Sequence, residues 1–242
     1  MTQSHKKYLK ADKEYLERRA EFSEKYGKPD LWSTIDHWPL YAGVYSISRF
    51  LAISKLVEQS LDVPGHIAEI GSWRGANLLF MAKLLRLWDP HSNKQVHSFD
   101  SFEGLQNFAP EDGEATRTKG FYQGSFEELV DVITLYELDD DIVIHKGQVE
   151  TTISELLDRR VELSFSMIYI DVDLYKPSLV ALEQLHPRLS TGGLIVLDEW
   201  NYAMFPGETV AVREFMDAHP GAYAMEHIRN TRQPSLALRK LS

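Results

Sequence analysis

Residues 66–77, His-Ile-Ala-Glu-Ile-Gly-Ser-Trp-Arg-Gly-Ala-Asn, constrain this chain more than any other stretch. A short apolar run starts after Pro64-Gly65, glycines stand at Gly71 and Gly75, and apolar residues then recur at helical spacing. The pattern predicts strand, tight turn and helix, the opening of a βα unit. Glycine at the turn supplies φ > 0 and lets a ligand approach the backbone, while the helix start points unpaired N–H groups at the same spot. Glu69, just before the turn, would repel a pyrophosphate and suits a cationic, amino-acid-like ligand. The spacing is Glu-x-Gly-x-x-x-Gly rather than Gly-x-Gly-x-x-Gly, which disfavours a dinucleotide. The competing reading is an ordinary βα turn with a solvated Glu69.

The remainder of the chain repeats that alternation. Apolar runs at 95–99, 142–145, 165–170 and 194–197 read as strands, and helical periodicity covers 125–137, 149–159, 176–189 and 209–218. Ser125 is the expected N-cap of its helix, with Glu128 completing a capping box. Gly192-Gly193 reads as a turn, and 222–228 with 235–239 as a closing antiparallel pair. The sum is an α/β doubly wound sheet, mostly parallel, with ligands outside the carboxyl ends of the strands. Ahead of it, residues 1–60 form an expected N-terminal helical segment, a substrate lid or an oligomer contact, leaving 61–242 as the α/β domain. Tyr8, Leu9, Tyr15, Leu16, Phe22 and Tyr26 recur along a charged helix at 6–26, a stripe that must bury itself against its own domain or a second subunit. Trp32, Trp38, Tyr41 and Tyr45 lead into a helix at 44–59, and aromatics of this size are expected in the core more than on a substrate wall. Residues 101–124 show no period, and a loop that long inside a domain is functional or mobile.

Composition narrows the partners. A formal net charge of −10 argues against a nucleic-acid backbone. No run approaches the roughly 18 apolar residues that span a bilayer, and the charged start carries no signal-peptide pattern, so a cytoplasmic location is expected. With no cysteine in the sequence, disulfides, thiolate metal sites and a Cys nucleophile are excluded.

Acids close nearly every expected parallel strand: Glu69, Asp100, Asp171 and the pair Asp198-Glu199. The topology gathers these positions along one sheet edge. An acid at the tip of the second strand is placed to accept hydrogen bonds from ribose hydroxyls, or alternatively to cap a turn. Converging carboxylates repel one another unless a cation sits among them, and hard oxygen donors suit Mg²⁺ or another hard divalent ion. The alternative is that Asp171 and Asp198 cap the helices that follow. His145 and His37 are lone histidines of the kind that usually serve as ordinary core or surface residues.

Pro64-Gly65 through Gly75, the run Phe99-Asp100-Ser101-Phe102-Glu103-Gly104-Leu105, and Ile170-Asp171-Val172-Asp173-Leu174-Tyr175 followed by Pro187, Gly192-Gly193 and Asp198-Glu199 together resemble the TylF/MycF (macrocin) O-methyltransferase family over roughly residues 60–240. The resemblance implies a class I, Rossmann-like fold, S-adenosylmethionine and Mg²⁺ as cofactors, and methylation of a sugar hydroxyl, as nucleotide sugar or glycoside, in antibiotic and natural-product biosynthesis; the N-terminal apolar stripe adds the expectation of a homo-oligomer. The resemblance also implies that Glu69, Gly71, Ser72 and Gly75 serve the methionine end of the cofactor, that Asp100 and Ser101 serve the ribose and adenine, and that Asp171, Asp198 and Glu199 hold the metal. Asp-Glu replaces the family's usual Asp-Asp, and Ser72 replaces a more usual Val. Catechol-type relatives place a lysine base where this chain has Leu174, so Asp171 or Asp173 is the expected proton acceptor, with His145 behind them. Two alternatives remain at this stage: a catalytically silent scaffold subunit, and an NAD-type sugar-nucleotide protein, which would need a glycine-rich turn that the chain lacks.

Overall fold

The computed structural model describes residues 3–241, with side chains from residue 13 onward. Four helices open the chain, α1 (Gln3–Lys25), α2 (Leu31–Asp36), α3 (Trp38–Tyr41) and α4 (Val44–Leu61). Strand and helix then alternate through β1 (His66–Ile70), α5 (Ala76–Trp88), β2 (Val96–Asp100), α6 (Phe126–Leu135), β3 (Ile142–Lys146), α7 (Val149–Arg159), β4 (Phe165–Ile170), α8 (Tyr175–Leu185), β5 (Leu189–Leu197) and α9 (Pro206–Ala218). The hairpin β6 (Tyr223–His227) and β7 (Leu236–Lys240) closes the sheet. Strand order is β3-β2-β1-β4-β5-β7-β6, with β7 antiparallel to both neighbours and the other pairings parallel. The order reverses between β1 and β4, so the crevice outside their carboxyl ends is the natural ligand site.

Alternation along the strands builds two apolar layers. Met167 and Tyr169 of β4 face α4 and α5, where Ile53, Val57, Leu78 and Met81 are buried, while Ile168 and Ile170 face α7, α8 and α9 with Ile153, Leu182 and Phe215. A strand covered on both faces shows no polar alternation, which is why β4 reads as one continuous apolar run. Helix α4 belongs to this core through Ala52, Ile53, Leu56 and Val57.

Four expectations change. The helix expected to reach residue 189 stops at Leu185, and His186–Arg188 forms a 3-10 turn because Pro187 has no N–H to continue it. Gly192 and Gly193 lie inside β5, where the pairing jumps from Phe165↔Leu189 to Met167↔Leu194, and a Cβ on Gly193 would sit 2.9 Å from the Ser166 carbonyl oxygen. Ser125 Oγ accepts from the Glu128 N–H at 3.1 Å, yet the Glu128 carboxylate pairs with Lys28, so only half of the capping box forms. Trp38 and Tyr41 are exposed rather than core, since α2 and α3 bury no residue at all, and Tyr45, in the first turn of α4, is exposed too.

The α1 stripe packs within the chain. Tyr15 meets Tyr136, Phe22 is buried against Tyr26 and Trp32, and Arg18, Lys25 and Lys28 pair with Glu137, Asp131 and Glu128 on and beside α6. Leu16 stays exposed, and Tyr8 and Leu9 lie outside the residues whose side chains are described. Residues 101–124 are ordered: Leu105 and Gly120 bond Phe121 and Leu105 in turn, Glu103 bridges Gln123, and a 3-10 segment (Pro110–Thr118) packs on α9. Its anchor is Asp112, fully buried, whose Oδ1 accepts from the Tyr175 N–H at 2.7 Å and so caps the start of α8.

Candidate active site

A cavity of about 480 Å³ opens at the carboxyl ends of β1, β2, β4 and β5, a size typical of small-molecule sites. Gly71, Ser72, Asp100 and Ser101 line one side, and Asp171, Asp173, Asp198 and Glu199 the other. Glu69 and Gly75 do not reach the cavity surface. Glu69 is fully buried behind Ser72, whose Oγ donates to Glu69 Oε2 at 2.7 Å and lies 2.6 Å from Ser98 Oγ. Burial, against the opposing effect of the Ser72 hydrogen bond, pushes Glu69 up to about 8, and its Oε1 has no partner. The wall that the sequence assigns to an exposed carboxylate is therefore a turn with a largely neutral acid beneath it.

Gly71 has φ +86°, and a Cβ there would collide with the Asp171 carbonyl. Its freedom thus serves the approach of two strand ends, β1 to β4, before it serves any ligand. Asp100 works on the same turn. Its Oδ2 accepts from the Ser72 and Trp73 N–H groups at 2.7 Å each, and Oδ1 from the Phe102 N–H at 2.6 Å. Three of the roughly four lone-pair positions of a carboxylate are thus used by the protein, so Asp100 shapes the turn as well as facing the cavity.

The acids at β4 and β5 meet a cation that the sequence reading missed. Arg49, on α4, places Nη2 2.8 Å from Asp171 Oδ2 and Nη1 3.0 Å from Asp198 Oδ2, and Nε 3.4 Å from Asn77 Oδ1. Asp198 is committed on its other oxygen as well, accepting from the Tyr169 hydroxyl at 2.5 Å. The only hint in the sequence is a single Arg inside the otherwise apolar and small-residue run 46–53; its partners lie more than 120 residues away.

Burial and then Asp198 raise Asp171 well above the carboxylate range, with Arg49 opposing. The same two causes hold Asp173 at about 7, and burial followed by Asp173 and Asp198 lifts Glu199 to about 9. Asp173 is also held at φ +61°, a left-handed conformation that strains a non-glycine residue and recurs at functional sites. Asp171, Asp173 and Glu199 each offer an oxygen within 4.8 Å of the others, and Glu199 Oε2 is buried without a hydrogen-bond partner. These three fit a hard divalent ion, being oxygen donors in excess of the local positive charge. Asp198, expected in the set, lies outside this group of three, its oxygens accepting from Arg49 and from the Tyr169 hydroxyl. Glu199 Oε1 is held by the Gln233 side chain, which in turn accepts from the Tyr45 hydroxyl at 2.5 Å. His145 does not line the cavity, its Nε2 lying 3.0 Å from His97 Nδ1, and the His37 ring lies 2.9 Å from the Ser33 carbonyl on α2.

The model of the macrocin-O-methyltransferase (TylF) family matches residues 5–233. The chain belongs to the TylF family. Among TylF-type relatives, it is 30% identical over 173 residues to the 8-demethyl-8-(2,3-dimethoxy-alpha-L-rhamnosyl)-tetracenomycin-C 4'-O-methyltransferase of Streptomyces olivaceus, covering 67% of this chain and 64% of that one. It is 30% identical over 190 residues to the demethyldecarbamoylnovobiocin O-methyltransferase of Streptomyces niveus, covering 74% and 69%. In three dimensions it is similar to the calicheamicin methyltransferase CalS11, with a TM-score of 0.77, 23% identity and coverage of 93% and 91%. The TylF match includes α1 to α4, which the sequence reading left outside the resemblance, and the class I methyltransferase fold replaces the NAD-type alternative.

Proposed function

We propose that this chain transfers the methyl group of S-adenosylmethionine to a sugar hydroxyl, on a nucleotide sugar or a glycoside of natural-product biosynthesis, assisted by Mg²⁺ or another hard divalent cation. One observation carries the reading: the Gly71-Ser72 turn and Asp100 share a single cavity with the carboxylates Asp171, Asp173 and Glu199. The names of the relatives, O-methyltransferases of a rhamnosylated tetracenomycin and of a novobiocin precursor, support a small-molecule acceptor. Acids crowded around a cavity favour a cationic sulfonium on one side and a cation-assisted hydroxyl on the other.

The sulfonium carbon–sulfur bond breaks as the carbon–oxygen bond forms, and the hydroxyl proton must leave. Asp173 is placed to take it: it lines the cavity beside Asp171 and Glu199. Asp171 is the weaker candidate because Arg49 holds its Oδ2. Of the three grouped acids, Asp171 and Glu199 would hold the metal and leave Asp173 for the proton; the metal would supply a lowered acceptor pKa and orient the hydroxyl. Arg49 and Asn77 steady Asp171, while Gln233 and Tyr45 steady Glu199.

Labelled methyl transfer to a panel of nucleotide sugars and glycosides, with Mg²⁺ and with EDTA, tests the reading beside calorimetry with S-adenosylhomocysteine. Turnover that needs the metal, with homocysteine-cofactor binding that does not, is the expected result. Cofactor binding with no acceptor methylated would favour the silent-subunit alternative, and absence of cofactor binding would overturn both. No helix of the described residues is long and apolar enough to cross a membrane, and we place the chain in the cytoplasm. Leu40, Tyr41 and Val44, 76%, 68% and 84% exposed, are the surface through which we propose a second copy docks; sedimentation velocity decides this.

A further inference from the structure

Helices that follow parallel strands run back along the sheet, so the carboxyl ends of α8 and α9 lie at the edge away from the cavity. There Glu183 in the last turn of α8, His186 in the 3-10 turn after it, and His219 at the end of α9 come together. One ligand atom of each lies within 4.8 Å of the other two. His219 Nε2 is 3.5 Å from Glu183 Oε2, and the two imidazole rings are 4.3 Å apart, both resting on Phe215.

A second observation points into the same place. Tyr223, 6% exposed, packs its ring on Phe215, and its hydroxyl is buried with no hydrogen-bond partner. Phe215 carries both imidazoles as well, so Tyr223 and the two histidines share one aromatic neighbour. A buried hydroxyl left unpaired costs about 1–3 kcal/mol, so such a group normally has a partner.

We propose that Glu183, His186 and His219 bind a borderline divalent transition ion, Zn²⁺ by preference, with Tyr223 as the hydrogen-bonding group behind the ligands. Two imidazoles and a carboxylate form the three-protein-ligand set that zinc accepts with water completing the shell. A neutral imidazole presents one ring nitrogen as a lone-pair donor, as zinc ligation requires. The nearby cation Lys240 is held by the His186 and Leu189 carbonyls at 3.0 and 2.9 Å. The donor chemistry separates this site from the cavity: nitrogen donors here select transition ions, and the all-oxygen set there selects Mg²⁺. A bound ion ties α8 to α9, the helices that follow Asp171-Asp173 and Asp198-Glu199.

The test uses untagged full-length chain stripped with EDTA and dialysed. Calorimetry with Zn²⁺ and the visible spectrum of added Co²⁺ are read for the wild type, His219→Ala, Glu183→Gln and Asp173→Asn, with excess Mg²⁺ present throughout. The expected result is one Zn²⁺ per chain and a tetrahedral Co²⁺ spectrum in the wild type and in Asp173→Asn, with affinity at least tenfold weaker in His219→Ala and Glu183→Gln. Zn²⁺ should raise the melting temperature of the wild type and leave that of His219→Ala unmoved. Glu183 is exposed enough for its Gln variant to stand if the His219 variant fails to fold. No Zn²⁺ binding, or binding unaffected at Glu183→Gln, overturns the assignment, whatever methyl transfer does.

Discussion

Replacing Arg49 by Met probes the cation that holds the two acid-bearing strand ends together. The guanidinium side chain is 16% exposed, and its partners Asp171 and Asp198 are 24% and 3% exposed. At about 4 Å between charge centres and an effective dielectric of about 20, each pairing is worth about 4 kcal/mol before desolvation. Much of that is spent on desolvating the three groups, and removing one partner of a buried pair costs about 3–5 kcal/mol because the other charge is stranded. For a domain of this size each kcal/mol moves the melting temperature by about 2–4 °C, so Arg49→Met should melt about 6–20 °C below the wild type at pH 8 in EDTA. Without Arg49 the folded-state pKa of Asp171 rises further above its unfolded value. Stability tied to such groups is complete below the unfolded value and is lost as pH rises through the folded one, so the deficit should shrink towards pH 4. Thermal melts followed by circular dichroism at pH 4 to 9 measure this. A deficit under about 1 kcal/mol at pH 8, or one that grows on acidification, would refute the argument.

Asp100→Ala should weaken S-adenosylhomocysteine binding measured by calorimetry, and it should also cost about 1–3 kcal/mol in urea unfolding, because the Ser72, Trp73 and Phe102 N–H groups lose their acceptor. Asp173→Asn should remove methyl transfer at least a hundredfold while leaving calorimetric cofactor affinity within threefold, and unchanged turnover would return Asp173 to a turn role. Asp198→Asn should lose stability more than metal affinity, since its oxygens serve Arg49 and Tyr169; isothermal Mg²⁺ titration beside a melt separates the two. His97 and His145 are held down to about 3 and 4, in both cases by burial first. Folded values below the unfolded value of about 6.5 mean that stability is whole above pH 6.5 and is lost as pH falls through that window, by roughly 2–3 kcal/mol per histidine near pH 4. Urea midpoints of His145→Gln across pH 4 to 7 should flatten that fall.

Strand, turn and helix order were legible because they rest on neighbours one to four residues apart. The β1 to α5 turn, the buried run of β4, the closing hairpin and the acids at strand tips all follow from local periodicity and turn chemistry, and the Asp-Ser-Phe-Glu-Gly-Leu run carried the family. Which acids face one another was decided only by the folded chain. Arg49 reaches Asp171 and Asp198 across 122 and 149 positions, and Asp112 reaches the start of α8 across 63. Glu69 reads as a ligand-facing carboxylate and is instead sealed behind Ser72, since the side a strand-end residue faces depends on the strands and turns packed around it. Local pattern places a charge at the sheet edge; only packing determines whether a metal, an arginine or a hydroxyl neutralises it.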